Sequence, residues 1–153
     1  MPGAINSGCG RASPNLAPDG TLYVLAYSDV GGSEVTARFP DGRLKPGWPY
    51  QPAGELSWSC LVDTDCPPYH VDPAFGPDGT LYLVVRHTDP NGPRLEVVAL
   101  DPQGQLKQGW PYLLPIDPTD GEVASLTVAP DGRLFVRGDN LLVALDPDGR
   151  VSR

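Results

Sequence analysis

A turn-bounded unit, repeated three times, constrains most strongly how this chain can fold. In its clearest copy, residues 128–150, the sequence VAPDGRLFVRGDNLLVALDPDGR places short apolar runs between turn residues, with a Pro-Asp-Gly turn at each end. Proline holds φ at about −65° in such a turn, and glycine accepts the left-handed conformation that follows, so each turn predicts a β-hairpin. The runs are apolar on both faces, which predicts a sheet covered on both sides.

Two glycine markers alternate along the sequence and define the repeat, with a period of about 50 residues. They are Gly20, Gly79 and Gly132 in the first turn of each unit, and Gly42, Gly104 and Gly149 in the second. Aromatic residues recur after the first turn, and tryptophan recurs after the second turn of two units: Tyr23, Tyr82 and Phe135, then Trp48 and Trp110. These aromatic positions are expected to pack between neighbouring units.

Each unit is predicted to contain four short strands, because no stretch shows the apolar period of a helix. We therefore expect an all-β fold of four-stranded antiparallel sheets, with units at about residues 13–50, 70–112 and 123–153. The fourth strand of the third unit barely begins before Arg153. Residues 51–69 are expected to connect the first two units. Four strands in a unit of about 50 residues are typical of a β-propeller blade.

Two motifs, APDGTLYV at residues 17–24 and EVVALDPQGQLKQGW at residues 96–110, resemble the PQQ-like (quinoprotein-type) β-propeller repeat. In that family a D-G-x-L-Y-V strand is followed by an Ala-Leu-Asp-x-x-Gly hairpin and a tryptophan on the outermost strand. The resemblance implies about 2.5–3 blades, whereas complete propellers carry roughly 4–8. The chain is therefore expected to be a fragment of a longer protein, or to associate with itself or with the remaining blades.

The charge balance argues against some partners. Lys and Arg total 11 and Asp and Glu total 19, so the net charge is −8, a field that repels nucleic acid. There is no apolar run long enough to span a membrane, so no membrane insertion is expected. The N-terminal residues lack the pattern of a signal peptide.

The spacing of the cysteines predicts a disulfide bond. Cys60 and Cys66 lie close together in the long irregular stretch, where a disulfide is the plainest interpretation. Cys9 is left over and could instead pair with one of them across units. A zinc site would need His70 and a fourth ligand. A disulfide would favour an extracytoplasmic location.

Acidic side chains in the connection after the second unit are weak calcium candidates. Asp117, Asp120 and Glu122 space carboxylates, but a full calcium loop needs five or six oxygen ligands at set spacing. Asp146 and Asp148 occupy a repeated hairpin turn, where a solvated turn is the plainer interpretation. No metal or cofactor is therefore expected.

Two functions from different classes remain open. The sequence carries no nucleophile elbow, phosphate-binding loop or dinucleotide motif, which favours a non-enzymatic binding or protein-interaction scaffold. The alternative is a fragment of a quinoprotein dehydrogenase-like enzyme whose cofactor site lies in missing blades. The first strands offer only a few inward polar groups for such a site, namely Asn15, Asp72 and Ser125. Trp58 lies outside the repeat and is the candidate for stacking on a ligand.

Overall fold

Short antiparallel β-strands build this protein. The computed structural model describes residues 14–28, 32–56, 71–88, 90–116 and 123–153. Its strands are β1 (Pro14–Leu16), β2 (Leu22–Ser28), β3 (Gly32–Arg38), β4 (Glu55–Leu56), β5 (Ala74–Phe75), β6 (Leu81–His87), β7 (Arg94–Leu100), β8 (Tyr112–Leu113), β9 (Val123–Val128), β10 (Leu134–Gly138) and β11 (Leu142–Leu145). No helix occurs in these ranges, and so none that could cross a membrane. The predicted all-β, antiparallel class is confirmed.

The strands form three sheets that follow one another along the chain. The first has the order β1-β2-β3 and the third has the order β9-β10-β11. In the second sheet β6 pairs with β7, which pairs with β8, while the other edge of β6 pairs with both β4 and β5. The register also repeats, because the aromatic residue of each sheet lies opposite an alanine: Tyr23 and Ala37, Tyr82 and Ala99, Phe135 and Ala144.

Aspartate side chains shape the first turn of every unit. The Oδ1 atoms of Asp19, Asp78 and Asp131 each accept a hydrogen bond from the backbone N–H two residues later. The glycine between them has a φ of +83° to +87° in all three units, a conformation that other residues rarely adopt. The Pro-Asp-Gly signal thus corresponds to one turn geometry that starts each β-hairpin.

The fourth strand of each unit is interrupted. Leu44, Leu106 and Val151 each form a single bridge to the third strand, and pairing then resumes at Tyr50 in the first unit and at β8 in the second. The fourth strand therefore continues past the tryptophan, where the sequence pattern placed its end. In the third unit it begins at Val151, as expected.

We call the edge strand that precedes each hairpin the inner strand, and in the second sheet, where it pairs with β6, it is split. Leu56 of β4 lies opposite Val85, and Phe75 of β5 lies opposite Leu81 on the same edge of β6. In the third sheet the uninterrupted strand β9 makes the equivalent pairs with β10. Residues 51–69 were expected to be only a connection, but Glu55 and Leu56 belong to the sheet. The chain thus leaves the edge of β6 after Leu56 and pairs with it again from Ala74, and residues 57–70 between them lie outside the described ranges.

The second sheet is buried on both faces, as the double-sided apolar runs predict. Alternate residues of β6 point in opposite directions: Leu81, Leu83 and Val85 pack with the first sheet, whereas Tyr82 and Val84 pack with the third. The side chains of β7 divide in the same way. The two hydrophobic clusters among the described residues are thus the two layers between successive sheets.

Candidate functional site

A tryptophan connects the sheets at each interface between neighbouring sheets. We call the interface of the first and second sheets the first joint, and that of the second and third sheets the second joint. The indole N–H of Trp48 donates to the carbonyl oxygen of Pro102 in the second sheet, and that of Trp110 donates to Pro147 in the third, both at 3.1 Å. Their rings make edge contacts with Tyr23 and Tyr82, at centroid distances of 5.3 and 5.4 Å. Both tryptophans are buried. The prediction that these repeated aromatics pack between units is confirmed for Tyr23, Tyr82, Trp48 and Trp110, whereas Phe135 of the third unit is only partly buried.

The glycine before each tryptophan lets two backbones approach closely. Gly47 and Gly109 have φ values of +88° and +89°. A Cβ at Gly47 would overlap the carbonyl oxygen of Gln103, and one at Gly109 would overlap that of Asp148. The repeated Gly-Trp-Pro segment is therefore a docking element that seats the fourth strand of one unit on the second turn of the next.

A cleft of about 560 Å³ opens at the other end of the first joint. Both sheets contribute to it, through the start of β3, the segment from Pro52 to Glu55 that leads into β4, the end of β6 and the start of β7. Its polar lining includes Ser33, Glu55, Arg86, His87 and Arg94. This volume is in the range of sites that hold small molecules.

A buried histidine stands in the wall of this cleft. His87 Nε2 lies 2.7 Å from Oε1 of Glu96, and both side chains are largely shielded from solvent. Gly54 leaves room for the ring, because a Cβ there would come within 2.9 Å of His87 Nδ1. The hydroxyl of Ser33 accepts the backbone N–H of Leu56, which ties β3 to the second sheet. These contacts fix the shape of the cleft across the joint.

Burial also changes the acidity of groups around the cleft. It raises the pKa of Glu55, and the positive charge of Arg86 only partly opposes it. Outside the lining of the cleft, burial likewise raises the pKa of Tyr50, and the nearby charge of Glu96 adds to the effect. The cleft therefore presents cationic, anionic and hydroxyl groups together, a set suited to binding a polar molecule.

The first and third sheets each expose one face whose equivalent in the second sheet is buried. We call Phe135, Leu142 and Ala144 the open face of the third sheet; their equivalents in the first two sheets are almost completely buried. We call Leu16, Leu22 and Val24 the open face of the first sheet; their equivalents in the second sheet, Phe75, Leu81 and Leu83, belong to the first hydrophobic joint. Leu16 is 69% exposed and Leu142 is 74% exposed.

Most residues singled out from the sequence lie outside the described ranges. These are the cysteines, the extra tryptophan and the weak calcium candidates: Cys9, Trp58, Cys60, Cys66, His70, Asp117, Asp120 and Glu122. The disulfide, stacking and calcium hypotheses stay predictions. Among the residues that the structure describes, no three His, Cys, Asp or Glu side chains form a potential metal site.

The remaining polar candidates lie one to a sheet. Asn15 belongs to β1, Ser125 to β9, and Asp72 lies between β4 and β5, so each occupies an inner strand or its interruption. Asp148 accepts the backbone N–H of Arg150, which is a turn contact. No motif in the sequence predicts the cleft around His87, although His87 continues the alternation of Leu81, Leu83 and Val85 that faces the first sheet.

No protein-family model matches the sequence, and no curated protein matches it. A solved structure, described as a protein of unknown function from Bacteroides caccae, matches 93% of this chain with a TM-score of 0.54 and 13% sequence identity. The chain spans 44% of the length of that protein. At this identity the likeness concerns the fold alone.

Proposed function

We propose that this chain is a segment of about three β-propeller blades that acts as a non-enzymatic binding scaffold. The observation that carries the proposal is the doubly covered second sheet, which meets its two neighbours through the same repeat positions. The tryptophan contacts to Pro102 and Pro147 are equivalent in both joints. Face-to-face stacking of four-stranded antiparallel sheets in chain order is the arrangement of propeller blades.

The cleft at the first joint is the proposed ligand site. Its lining combines Arg86, Arg94 and Glu55 with the His87 ring that Glu96 holds. A small polar molecule carrying both hydrogen-bond donors and acceptors fits such a lining. The turn aspartates also support a scaffold role. Their carboxylates accept hydrogen bonds from the backbone of their own turns, so they stabilise the fold.

The test is a titration of the isotope-labelled chain with amino acids, monosaccharides and dicarboxylic acids, followed by amide correlation spectra. We expect one of these classes to shift the amides of Gly32, Gly54 and Thr88 in a saturable way. His87→Gln should weaken that response, whereas Thr127→Ala, an exposed change in the third sheet, should leave it intact. Shifts confined to other surfaces would contradict the assignment of the cleft.

A second titration addresses the enzymatic alternative. Pyrroloquinoline quinone is added together with calcium, and binding is followed by calorimetry. A scaffold without a cofactor site gives no saturable heat. Saturable binding in the micromolar range would favour the quinoprotein-like alternative over the scaffold.

A further inference from the structure

We propose that the open face of the third sheet binds the open face of the first sheet in a second copy of this chain, so that two copies close into a ring. This inference rests on the proposed propeller arrangement, and it identifies the partner of the two outermost sheets. Each copy would then contribute three sheets to a ring of six, a number within the roughly 4–8 blades of complete propellers.

The open face of the third sheet repeats a surface that is an interface elsewhere in the molecule. Leu142 occupies the position of Val35 and Val97, which are both 0% exposed because the next sheet covers them, yet Leu142 is 74% exposed. Phe135 occupies the position of Tyr23 and Tyr82, which are 2% and 1% exposed. The third sheet thus presents the side chains of an internal joint with no described sheet stacked on them, although the Arg133 guanidinium lies over the Phe135 ring, 5.8 Å from its centroid.

The open face of the first sheet corresponds to the surface on the other side of the internal joints, the one that packs against the preceding sheet. Leu22 stands where Leu81 and Leu134 are fully buried against the preceding sheet. Leu16 stands where Phe75 contacts the Tyr23 ring, with centroids 5.4 Å apart. Carrying that contact over to the copy-to-copy joint places Phe135 of one chain against Leu16 of the other.

Polar replacements make this joint weaker than the internal ones. Arg137 takes the position of Val84, and Thr36 and Arg38 take the positions of Val98 and Leu100. Trp48 and Trp110 already fasten the internal joints, so the contact between copies depends on its apolar side chains. More polar interfaces of this kind are typical of reversible association, which predicts a dimer that depends on concentration.

A second copy fits better than an unrelated partner because the chain carries both halves of the joint. Two identical contacts related by a twofold axis close the assembly and leave no open face, whereas a rotation that does not close would extend it into a filament.

The experiment is sedimentation velocity of the chain over a range from low to high micromolar concentration. We expect the mass to rise from one chain of 16.3 kDa toward two chains and no further. Leu142→Lys should weaken the association about tenfold or more, since it places a charge in the centre of the joint. The matched control is Leu113→Lys, which changes an exposed leucine on β8 away from both open faces. This variant should not change the association.

A paired substitution tests the predicted partner residues. Phe135→Lys alone should weaken association, and adding Leu16→Glu to the same chain should restore much of it, because the two charges meet across the copies. A chain that stays monomeric, a dimer indifferent to Leu142→Lys, or growth beyond two chains would overturn the proposal.

The proposed stacking within one chain is judged separately, by the near-ultraviolet circular dichroism of Trp48 and Trp110. A monomer that keeps this signal would refute the ring but leave the stacked sheets intact. Loss of the signal in the unmodified chain would refute the stacking itself.

Discussion

Asp78 shows how much one turn residue does in this fold. Its Oδ1 accepts the backbone N–H of Thr80, and its Oδ2 accepts a hydrogen bond from Lys107 Nζ at 2.9 Å. Partial burial raises the pKa of Asp78, but the hydrogen bonds from Lys107 and Thr80 outweigh burial and lower the pKa to about 2. One carboxylate thus joins the first turn of the second unit to the start of its fourth strand.

This depressed pKa predicts a pH dependence of stability. The ionised form stabilises the fold fully above the ordinary pKa of 3.8, and that contribution is lost as the pH falls toward about 2. Asp78→Asn should therefore lower the free energy of unfolding at neutral pH, by less than about 1 kcal/mol because the pair is exposed and screened. The difference should vanish near pH 2 in urea unfolding curves, and Lys107→Met should reproduce it. A difference that persists at that pH would contradict the assignment.

Trp110 provides a second prediction at this scale. Trp110→Phe keeps an aromatic ring near Tyr82 but removes the N–H that bonds Pro147. We expect a loss of about 1–3 kcal/mol in the free energy of unfolding, from the lost hydrogen bond and the reduced side-chain volume. Trp48→Phe should cost a similar amount because its joint is equivalent. Tyr112→Phe, two residues further along in β8, is the control and should cost less than either.

The docking element formed by Gly-Trp-Pro can be tested through its glycines. Gly109→Ala forces a Cβ into the carbonyl of Asp148, whereas Gly92→Ala meets nothing within 4 Å although Gly92 also has a positive φ, +101°. Both variants pay the cost of the left-handed conformation, about 1–2 kcal/mol. Gly109→Ala should cost about 1–3 kcal/mol more, because the sheets must separate. Equal losses in chemical unfolding would show that the backbones do not approach as described.

The local elements could be predicted from sequence because their causes are local. The Pro-Asp-Gly turns depend on residues two positions apart, such as Asp131 and Arg133, and the strands between them follow from apolar runs. The position of β4 could not be predicted, since two residues carry no periodicity and their partners, Val85 and Arg86, lie far along the chain. The His87–Glu96 contact likewise depends on the register of β6 and β7.

The split inner strand leads to a prediction about residues 57–70. In the register of the third sheet, Leu56 corresponds to Val123 and Ala74 to Thr127, so joining Leu56 directly to Val71 restores a continuous strand. We expect the shortened chain to unfold cooperatively, with a stability equal to or slightly above that of the full chain, because a shorter loop costs less entropy. Thermal unfolding measures this.

The outcome of that deletion also separates structure from function. Trp58, Cys60 and Cys66 would be removed with the segment. A folded variant that loses a binding response would place ligand contacts in the removed segment. Loss of the cooperative transition would instead show that these residues support the second sheet.

At the scale of the whole molecule, stability should be distributed along the stack. In repeat architectures each unit is stabilised by its own contacts and by those with its neighbours. The second sheet has two neighbours, and Leu81, Val85, Val97 and Leu100 are fully buried there. The first and third sheets each have one neighbour among the described residues, so their outer strands should open at lower free energy.

Amide hydrogen exchange tests this distribution and the ring together. At low concentration the amides of β6 and β7 should exchange slowest, and those of β1 and β11 fastest, because local opening follows the number of covering layers. At high concentration a two-copy ring covers both open faces, so protection should rise in β10, β11, β1 and β2 but hardly in the second sheet. Leu142→Lys should abolish that rise while leaving the low-concentration pattern unchanged. Equal protection of all three sheets at low concentration would contradict the stack, and protection independent of concentration would contradict the ring alone.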